Sequence, residues 1–395
     1  MSLDGQETVF HEIERDAKRL TSALNAHIKR SFSPENVKTL RRFTSGEVAD
    51  LLGISQTYLR KLHHDGKIPD IENDERNRKM YRAEDVQEIR VALAAQSKTP
   101  GKFLPKRQKD EPIQIVAVTT FKGGSCKSTS AVHLASFFAL AGYRVLCVDL
   151  DPQSSLSGLL GQMPDADLNA RRTIYDAIRY DEQQVPMQDV IHKTYFPNLD
   201  LAPAGLILSE FETESPRALR ESDQMPFYLR LKAAISQVEE QYDIVIIDTP
   251  PQLGFITLSA MVAATGLLVT VVPNMIDMAS LAQFLTMASS LLDVVRQNGY
   301  ELNYDFIRYL VARFEPSDGP QAQMAAFLRV QFGSSVMTEP FLKSTAVSDA
   351  GMTNQTLFEI DRGQINRRTY DRAFESITRV AKELEESIHH AWGRV

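Results

Sequence analysis

The chain has 395 residues, of which 43% are hydrophobic and 24% charged, and its formal net charge at pH 7 is −7. This composition is that of a globular protein and excludes a disordered or fibrous chain. The length predicts two or three structural units, because it exceeds what one ordinary hydrophobic core encloses. The two cysteines form no CxxC pair, which argues against a disulfide framework or a zinc site and favours the cytoplasm.

The charge is unevenly distributed along the chain. Residues 1–112 carry 21 Lys and Arg against 18 Asp and Glu, a net charge of +3. Residues 113–395 carry 23 Lys and Arg against 33 Asp and Glu, a net charge of −10, and the two parts sum to −7. Contact with nucleic acid is therefore electrostatically easier for the N-terminal part.

Residues 1–42 are predicted to form a helical arm. Between residues 6 and 30, apolar side chains recur at steps of three and four, as one stripe of an amphipathic helix. Such a stripe is suited either to pairing two chains or to packing on its own domain. Its members are Phe10, Ile13, Ala17, Leu20, Leu24 and Ile28.

Residues 43–97 are predicted to form a winged helix-turn-helix domain. Ser45 is suited to cap a first helix, Gly53 to form the turn and Ser55 to cap a second helix. Residues 77–86 resemble the wing and following helix of MerR-like DNA-binding domains. We expect the second helix to face the major groove and the wing to contact phosphates, with protein binding as the alternative role. The predicted DNA-binding residues of this domain are Gln56, Thr57, Tyr58, Arg60, Lys61, Arg78 and Lys79.

The remaining sequence predicts a linker and a large α/β domain. Residues 98–112 are rich in Pro, Gly and basic residues, as linkers are. In residues 113–395 apolar strand segments alternate with helical segments, which predicts a doubly wound, mostly parallel sheet of the P-loop type. The charge-free stretch 253–273 is long enough to span a membrane, but Gly266 divides it into a helix-like and a strand-like half. A buried helix followed by a central strand is therefore favoured.

The segment KGGSCKST follows the first strand of this domain and precedes a helix. At such a position backbone N–H groups and the helix N-terminus converge on a phosphate. We expect Lys127 to reach the β- and γ-phosphates and the Ser128 hydroxyl to bind Mg²⁺. The predicted nucleotide-binding residues of the loop are Lys122, Gly123, Gly124, Ser125, Cys126, Lys127, Ser128 and Thr129.

The loop departs from the general pattern GxxxxGK(S/T). Phe121 and Cys126 stand where that pattern has glycines. The effect of Cys126 depends on its backbone: with helical dihedral angles the side chain is harmless, whereas a positive φ would cost about 1 kcal/mol.

Carboxylates follow two of the apolar strands, where doubly wound sheets bind their ligands. Asp149 and Asp151 are two residues apart, so their side chains project to the same side of the chain. Asp248 follows four apolar residues in YDIVIID, the pattern of a Walker B strand. We expect Asp248 to hold Mg²⁺ through a water molecule.

The motif KGGxxK(S/T) resembles the deviant phosphate loop of the ParA and MinD family of ATPases. The resemblance implies that Lys122 is a signature lysine, which reaches across an ATP-bridged dimer to the partner's nucleotide. It also implies that Asp151, in DLDPQ, lies beside the attacking water, and that Asp149 supports the Mg²⁺ shell. Pro273 is similar to a position of the family's adenine pocket, and Arg313 is a further nucleotide-binding candidate.

The segments RFEPSDGPQ and LKSTAVSDAG look like those of partition proteins from RepABC-type replicons, and with the head the resemblance covers nearly the whole chain. It implies a weak, cytoplasmic, nucleoid-associated ATPase that uses ATP and Mg²⁺. It further implies a homodimer that binds DNA non-specifically with ATP, represses its own operator with ADP, and is stimulated by a centromere-binding ParB or RepB-type protein. Candidates for the non-specific DNA surface are Arg308, Arg329, Lys343, Arg367 and Arg368.

Two other function classes stay open at this point. A MinD-like membrane-cycling ATPase shares the loop but needs a basic amphipathic C-terminal anchor. The last predicted helix contains Glu383, Glu385 and Glu386, so packing on the body is the better explanation for its apolar stripe. A P-loop metabolic ligase also uses KGG loops, but such an enzyme has no reason to carry a DNA-binding head.

Overall fold

In the computed structural model of this chain, the described residues are 9, 11–20, 22–23, 38–71, 73–74, 78–162, 172–220 and 224–394. The chain divides into two compact units, Met1–Thr39 and Leu40–Val395. In the first unit, residues 11–20 form helix α1, on which Ile13 and Leu20 are exposed. Phe10, Leu24 and Ile28 of the predicted stripe lie outside the described residues.

The head adopts the predicted winged helix-turn-helix. Its elements are β1 (Phe43–Thr44), α2 (Ser45–Leu52), α3 (Gln56–His64), β2 (Met80–Tyr81) and α4 (Ala83–Gln96), and β1 pairs antiparallel with β2. Gly53 has φ +65° at the turn, and the Ser55 hydroxyl accepts a hydrogen bond from the Tyr58 N–H at 3.1 Å, both as predicted. The first cap was predicted one residue too late: Thr44, still extended, accepts the Glu47 N–H at 3.3 Å.

The body is built on a seven-stranded sheet in the order β5-β6-β4-β7-β3-β8-β9, in which only the β5–β6 pair is antiparallel. The middle strands are covered on both faces, which explains why their sequences read as continuous apolar runs. The predicted buried helix and central strand in the stretch 253–273 are confirmed: Phe255–Ala263 is a helix and Gly266–Val271 a strand inside the sheet. The strands are β3 (Gln114–Thr119), β4 (Val145–Asp149), β5 (His192–Lys193), β6 (Leu199–Ala202), β7 (Ile244–Asp248), β8 (Gly266–Val271) and β9 (Phe306–Val311).

Helices cover both faces of the sheet. They are α5 (Lys127–Ala141), α6 (Ser155–Leu159), α7 (Ile174–Ile178), α8 (Glu210–Ala218), α9 (Phe227–Ser236), α10 (Phe255–Ala263), α11 (Met275–Gln297), α12 (Gly319–Phe332), α13 (Thr345–Met352) and α14 (Arg367–Ala391). Short 3₁₀ helices occupy Met187–Asp189, Leu206–Ser209, Glu239–Gln241 and Gly333–Ser335. Within the described residues one helix, α11, is long and apolar enough to cross a bilayer, and 28% of its most apolar window is buried.

Two hydrophobic cores lie on opposite faces of the sheet, because alternate residues of β3 point to opposite sides. Val116 and Val118 belong to the core that also contains α5, α14 and the head. Ile115 and Ala117 belong to the second core, with α7 to α12. The apolar stripe of α14 is buried in the first core, as predicted, with Leu384 fully enclosed.

The head is fixed to the body at the C-terminal end of α5. Arg90 of α4 is 5% exposed, and its guanidinium donates to three backbone carbonyls. The acceptors are Leu51 in α2 at 2.5 Å, Phe103 at 3.2 Å and Leu140 at the end of α5 at 3.0 Å. The segment 98–112, a linker by composition, is itself bonded to the body, for example through Arg107, which donates to the Tyr242 carbonyl at 3.0 Å.

Candidate nucleotide site and DNA-binding surface

The candidate nucleotide site lies where three neighbouring parallel strands end. Asp149 on β4 and Asp248 on β7 are register partners, and Val118 on β3 lies opposite Asp248 on its other side. Because all three strands run the same way, both carboxylates lie at the edge of the sheet where β3 leads into the loop 120–126. The sequence motifs therefore converge in space as predicted for a doubly wound sheet.

Lys127 is held inside this loop. Its side chain is 6% exposed, and its ammonium group donates to the Lys122 carbonyl at 3.1 Å. Burial lowers the pKa of Lys127, and the negative charges of Asp248 and Asp151 oppose this shift. The Ser125 hydroxyl also donates to the Lys122 carbonyl, at 3.0 Å. Two side chains of the loop therefore donate to the same backbone oxygen.

Cys126 adopts a left-handed backbone conformation, with φ +66° and ψ 26°, immediately before α5. A positive φ is the strained conformation for a residue with a Cβ, and it costs about 1 kcal/mol. Burial raises the pKa of the Cys126 thiol, and the nearby cations Arg313 and Lys127 only partly oppose that rise. The thiol therefore stays protonated at neutral pH and is a poor nucleophile.

Asp248 has the least satisfied side chain of the site. It is fully buried, and within the described residues neither of its carboxylate oxygens accepts a hydrogen bond of acceptable geometry. Burial and the neighbouring Asp149 raise the pKa of Asp248 well above its usual range, while Ser128 and Lys127 oppose the shift. Unpaired buried polar atoms are rare in folded proteins and need an explanation, such as a missing ion.

Asp149, in contrast, is saturated with hydrogen bonds. Its carboxylate accepts the Ser157 N–H at 2.8 Å, the Ser157 hydroxyl at 2.7 Å and the Asp151 N–H at 3.1 Å. Burial raises the pKa of Asp149 to about 6, although these donors lower it. The Asp149 oxygens thereby hold the chain from Asp151 to Ser157 in place, and the support that Asp149 is expected to give to the Mg²⁺ shell stays a prediction.

The ammonium group of Lys122 points to a residue that the sequence analysis missed. It forms an ion pair with Asp277, in the first turn of α11, whose carboxylate also accepts the side-chain amide of Asn274 at 3.1 Å. The Lys122 side chain is 41% exposed and that of Asp277 is 9% exposed. The only sequence signal was Asn274, an N-cap three residues before an aspartate.

A cavity of about 890 Å³ opens beside the phosphate loop. Arg313, with φ +53°, reaches the loop and donates to the Gly124 carbonyl at 3.4 Å. Pro273 is not among the described residues that line this cavity, and its expected place in an adenine pocket stays a prediction. The lining includes Gly124, Cys126, Thr129, Arg313, Lys343 and Arg368, and most of it comes from α13, α14 and the segments before them.

On the head, α3 presents an exposed face. In the described part of the wing, Asn73 and Lys79 form an antiparallel bridge. The two predicted phosphate contacts of the wing already have carboxylate partners: Arg78 with Asp74 and Lys79 with Asp70, each at 2.8 Å. The exposed residues of α3 include all five that were predicted to contact DNA, namely Gln56, Thr57, Tyr58, Arg60 and Lys61.

Comparison with known proteins agrees with this arrangement. Residues 113–298 match the family model of an AAA domain, and residues 43–98 match that of the MerR HTH family of regulatory proteins. A relative from Rhizobium rhizogenes named as a replication protein A is 46% identical over 97% of this chain and 95% of its own length. SopA of Escherichia coli K12 is 31% identical over 83% of both chains. The chain belongs to the ParA-type partition ATPases.

A solved partition protein extends the likeness to the fold of the whole ParA-type chain. It aligns with a TM-score of 0.65 at 17% identity and covers 96% of this chain and 98% of its own. At the candidate site of this ParA-type chain, three predicted residues, Lys127, Asp151 and Asp248, lie together. Lys122 belongs to the same loop, but its ammonium group forms an ion pair with Asp277 of α11.

Proposed function

We propose that this ParA-type chain binds ATP with Mg²⁺ at the loop 122–129 and hydrolyses it slowly. The observation that carries the proposal is the buried, unpaired carboxylate of Asp248 beside Lys127, at the edge of the sheet where the loop begins. Among the described residues no group of three or more His, Cys, Asp or Glu forms a metal cage. The donor set therefore fits an ion held by few protein ligands together with phosphate oxygens, as Mg²⁺ usually is.

Each residue has a specific role in this proposal. Ser128 and Asp248 would hold Mg²⁺, which, when bound, neutralises charge on the β- and γ-phosphates. Lys127 exchanges its bond to the Lys122 carbonyl for phosphate oxygens. Asp151, half-buried and kept in place by the Asp149 carboxylate, orients the attacking water. Arg313 and the cavity beside the loop receive the ribose and base.

Dimer formation with ATP requires Lys122 to change partners. The ion pair with Asp277 must open before the Lys122 ammonium group can reach the nucleotide of a second chain. The first turn of α11 beside this pair exposes two large apolar side chains, Met275 at 74% and Ile276 at 72%. Burying them between two chains would help to offset the entropy cost of association. The stripe on α1 is a second surface for pairing two chains.

DNA binding is proposed at two surfaces. With ADP, the exposed face of α3 and the wing bind an operator and repress the partition operon. With ATP, the dimer binds DNA without sequence preference, and Lys343, Arg367 and Arg368 are the better candidates for this surface because they are exposed. Arg308 and Arg329 are weaker candidates, since they donate to the Ser334 and Thr338 carbonyls at 2.6 and 3.1 Å.

The test is the steady-state rate of ATP hydrolysis, measured alone, with random duplex DNA, and with the centromere-binding protein of the same replicon. We expect a slow basal rate that the two partners together raise severalfold. Lys127→Ala should abolish the activity, whereas Lys232→Ala, at an exposed lysine on the opposite face of the sheet, should preserve it. A folded parent chain that does not bind ATP with Mg²⁺ would refute the proposal.

A further inference from the structure

The head and the body meet at a cavity of about 500 Å³ beside the recognition helix. From the head, the N-terminal turn of α2, the first residue of α3 and the wing line this cavity. Among the described residues of the body, Arg362 lines it, in the segment between α13 and α14. The wing contributes Arg78 and Lys79, so three basic side chains from two parts of the chain face one space next to the helix proposed to enter the major groove.

We infer that the operator-binding surface extends onto the ATPase body, and that Arg362 contacts a backbone phosphate of the duplex that the head binds. This inference rests on the proposed DNA binding by the head. The partner is double-stranded DNA, since the groups that line the cavity are donors suited to phosphate oxygens: guanidinium and ammonium groups, the Gln56 amide and the backbone N–H groups that begin α2.

The position of Arg362 relative to the recognition helix is set by the fixed head. Arg90 joins the head, the segment 98–112 and the end of α5 through three hydrogen bonds, and the three parts share one hydrophobic core. A head on a flexible tether would separate from the body on binding DNA. A head bonded in this way carries Arg362 to the duplex along with α3.

Arg362 is paired with one carboxylate and shares the cavity with two further acidic residues. Its Nε donates to Asp371 at 2.6 Å and a second nitrogen bonds the same carboxylate, while the side chain stays 50% exposed. Two acidic residues also line the cavity, Glu47 and Asp50. The Glu47 carboxylate is already paired with Arg41 at 2.7 Å and accepts the Thr44 N–H at 2.8 Å, so among the described lining residues Asp50 is the remaining opposing charge.

Each of the three cations of this cavity is paired with an aspartate, and in the pair of Arg362 with Asp371 both side chains are exposed, at 50% and 43%. Arg78 pairs with Asp74, Lys79 with Asp70 and Arg362 with Asp371. Exposed ion pairs contribute little to stability. Exchange of the aspartate for a DNA phosphate therefore costs little, and a guanidinium has donors to spare beyond the two that Asp371 uses.

The experiment measures binding of the full chain with ADP to a short duplex from the region upstream of its own gene, over a series of salt concentrations. Arg362→Ala should weaken binding about 3- to 10-fold and reduce the slope of log affinity against log salt by about one. Arg362→Lys should restore the slope, because a lysine also neutralises a phosphate. Arg296→Ala is the matched control: it removes an arginine paired with Asp293 in a helix on the other face of the sheet.

Asp371→Ala separates a DNA contact from a structural role. If Arg362 binds phosphate, removal of its carboxylate partner frees the guanidinium, and affinity for the duplex should rise. If the ion pair serves only to hold the 361–368 segment, Asp371→Ala and Arg362→Ala should weaken binding alike, which would overturn the inference. An Arg362→Ala slope equal to that of Arg296→Ala would overturn it as well.

Arg60→Ala, on the exposed face of α3, separates failure of this inference from failure of the proposed DNA binding by the head. When Arg60→Ala weakens binding and Arg362→Ala does not, the head binds DNA by itself and only the extension to the body fails. When neither substitution changes binding, DNA binding by the head fails.

Discussion

The two ends of helix α5 are both polar, but they are built in opposite ways. At its N-terminal end Asp248 is buried without a hydrogen-bond partner among the described residues, and Cys126 has a left-handed backbone. At its C-terminal end the polar groups are paired: Arg90 donates to three carbonyls, and the Tyr143 hydroxyl donates to Glu385 at 2.7 Å. Paired buried groups stabilise an architecture, whereas unpaired and strained ones persist where a ligand completes them.

The largest effect that tests this contrast is expected from Asp248→Asn. ATP hydrolysis should fall by about 100-fold or more, as expected when a group that organises the charge of the transition state is lost. Thermal stability without nucleotide should rise, because the substitution removes a buried carboxyl group that faces Asp149 and ionises only at a high cost. Steady-state kinetics and thermal unfolding measure the two quantities.

Asp243→Asn is the control for that variant, since Asp243 is equally buried but paired. Its carboxylate accepts the backbone N–H and the guanidinium of Arg144, at 2.8 and 2.6 Å. We expect lower stability and an unchanged rate of hydrolysis, the opposite of the result at Asp248. Loss of stability in both variants would contradict the distinction between the two carboxylates.

Arg90→Ala tests the paired end of α5. The substitution removes a donor from three backbone carbonyls, of which that of Leu140 keeps a long bond from the Gln87 amide at 3.4 Å, and should cost about 3 kcal/mol in the free energy of unfolding. Urea denaturation measures this loss. Arg90→Lys should recover only part of it, because one ammonium group cannot span carbonyls of three segments.

Arg60→Ala, at an exposed position of the same domain, should change the free energy of unfolding by no more than about 0.5 kcal/mol. An equal effect of the Arg60 and Arg90 substitutions would mean that the junction is not held by the hydrogen bonds of Arg90.

His133, in the middle of α5, predicts a dependence of stability on pH. Its Nδ1 donates to the Thr129 carbonyl at 2.7 Å and its Nε2 accepts the Leu357 N–H at 3.2 Å, so the folded ring is neutral. Burial lowers the pKa of His133 from 6.5 to about 4. Between these values the unfolded chain binds the extra proton, so stability falls as the pH decreases, by about 2 kcal/mol from pH 7 to pH 5.

Urea denaturation at several pH values checks this slope. In His133→Gln, the decrease in stability between pH 7 and pH 5 that comes from His133 should disappear. In His64→Gln, on the exposed side of the head, stability should depend on pH as in the parent chain. Equal slopes for the His133 variant and the parent would show that the ring already titrates freely in the folded state.

The sequence was informative where a local pattern decides the structure. The strand and helix around the phosphate loop followed from periodicity, and the carboxylates at strand ends followed from the geometry of parallel sheets. The ion pair of Lys122 with Asp277, and the cavity that Arg362 shares with the wing, bring together residues far apart in the chain. They depend on the strand order and on how the head packs, which no local pattern encodes.

The smallest expected effect comes from Cys126→Gly. Glycine at φ +66° removes the strain of a Cβ, about 1 to 2 kcal/mol, but loses more conformational entropy on folding, about 0.5 to 1 kcal/mol. The net gain in the free energy of unfolding should therefore be at most about 1.5 kcal/mol. Cys126→Ala keeps a Cβ and the strain, so it should bring no gain; equal gains from both variants would trace the effect to the buried thiol instead.

The same pair of variants tests whether the phosphate loop is already in its binding conformation. If residue 126 keeps its backbone angles when ATP binds, the strain is present in both the free and the bound states and cancels in the affinity. Equilibrium titration should then give Cys126→Gly the ATP affinity of the parent chain, despite its greater stability. A tighter ATP complex would mean that the strain increases on binding, and that the cysteine is retained at a cost to nucleotide affinity.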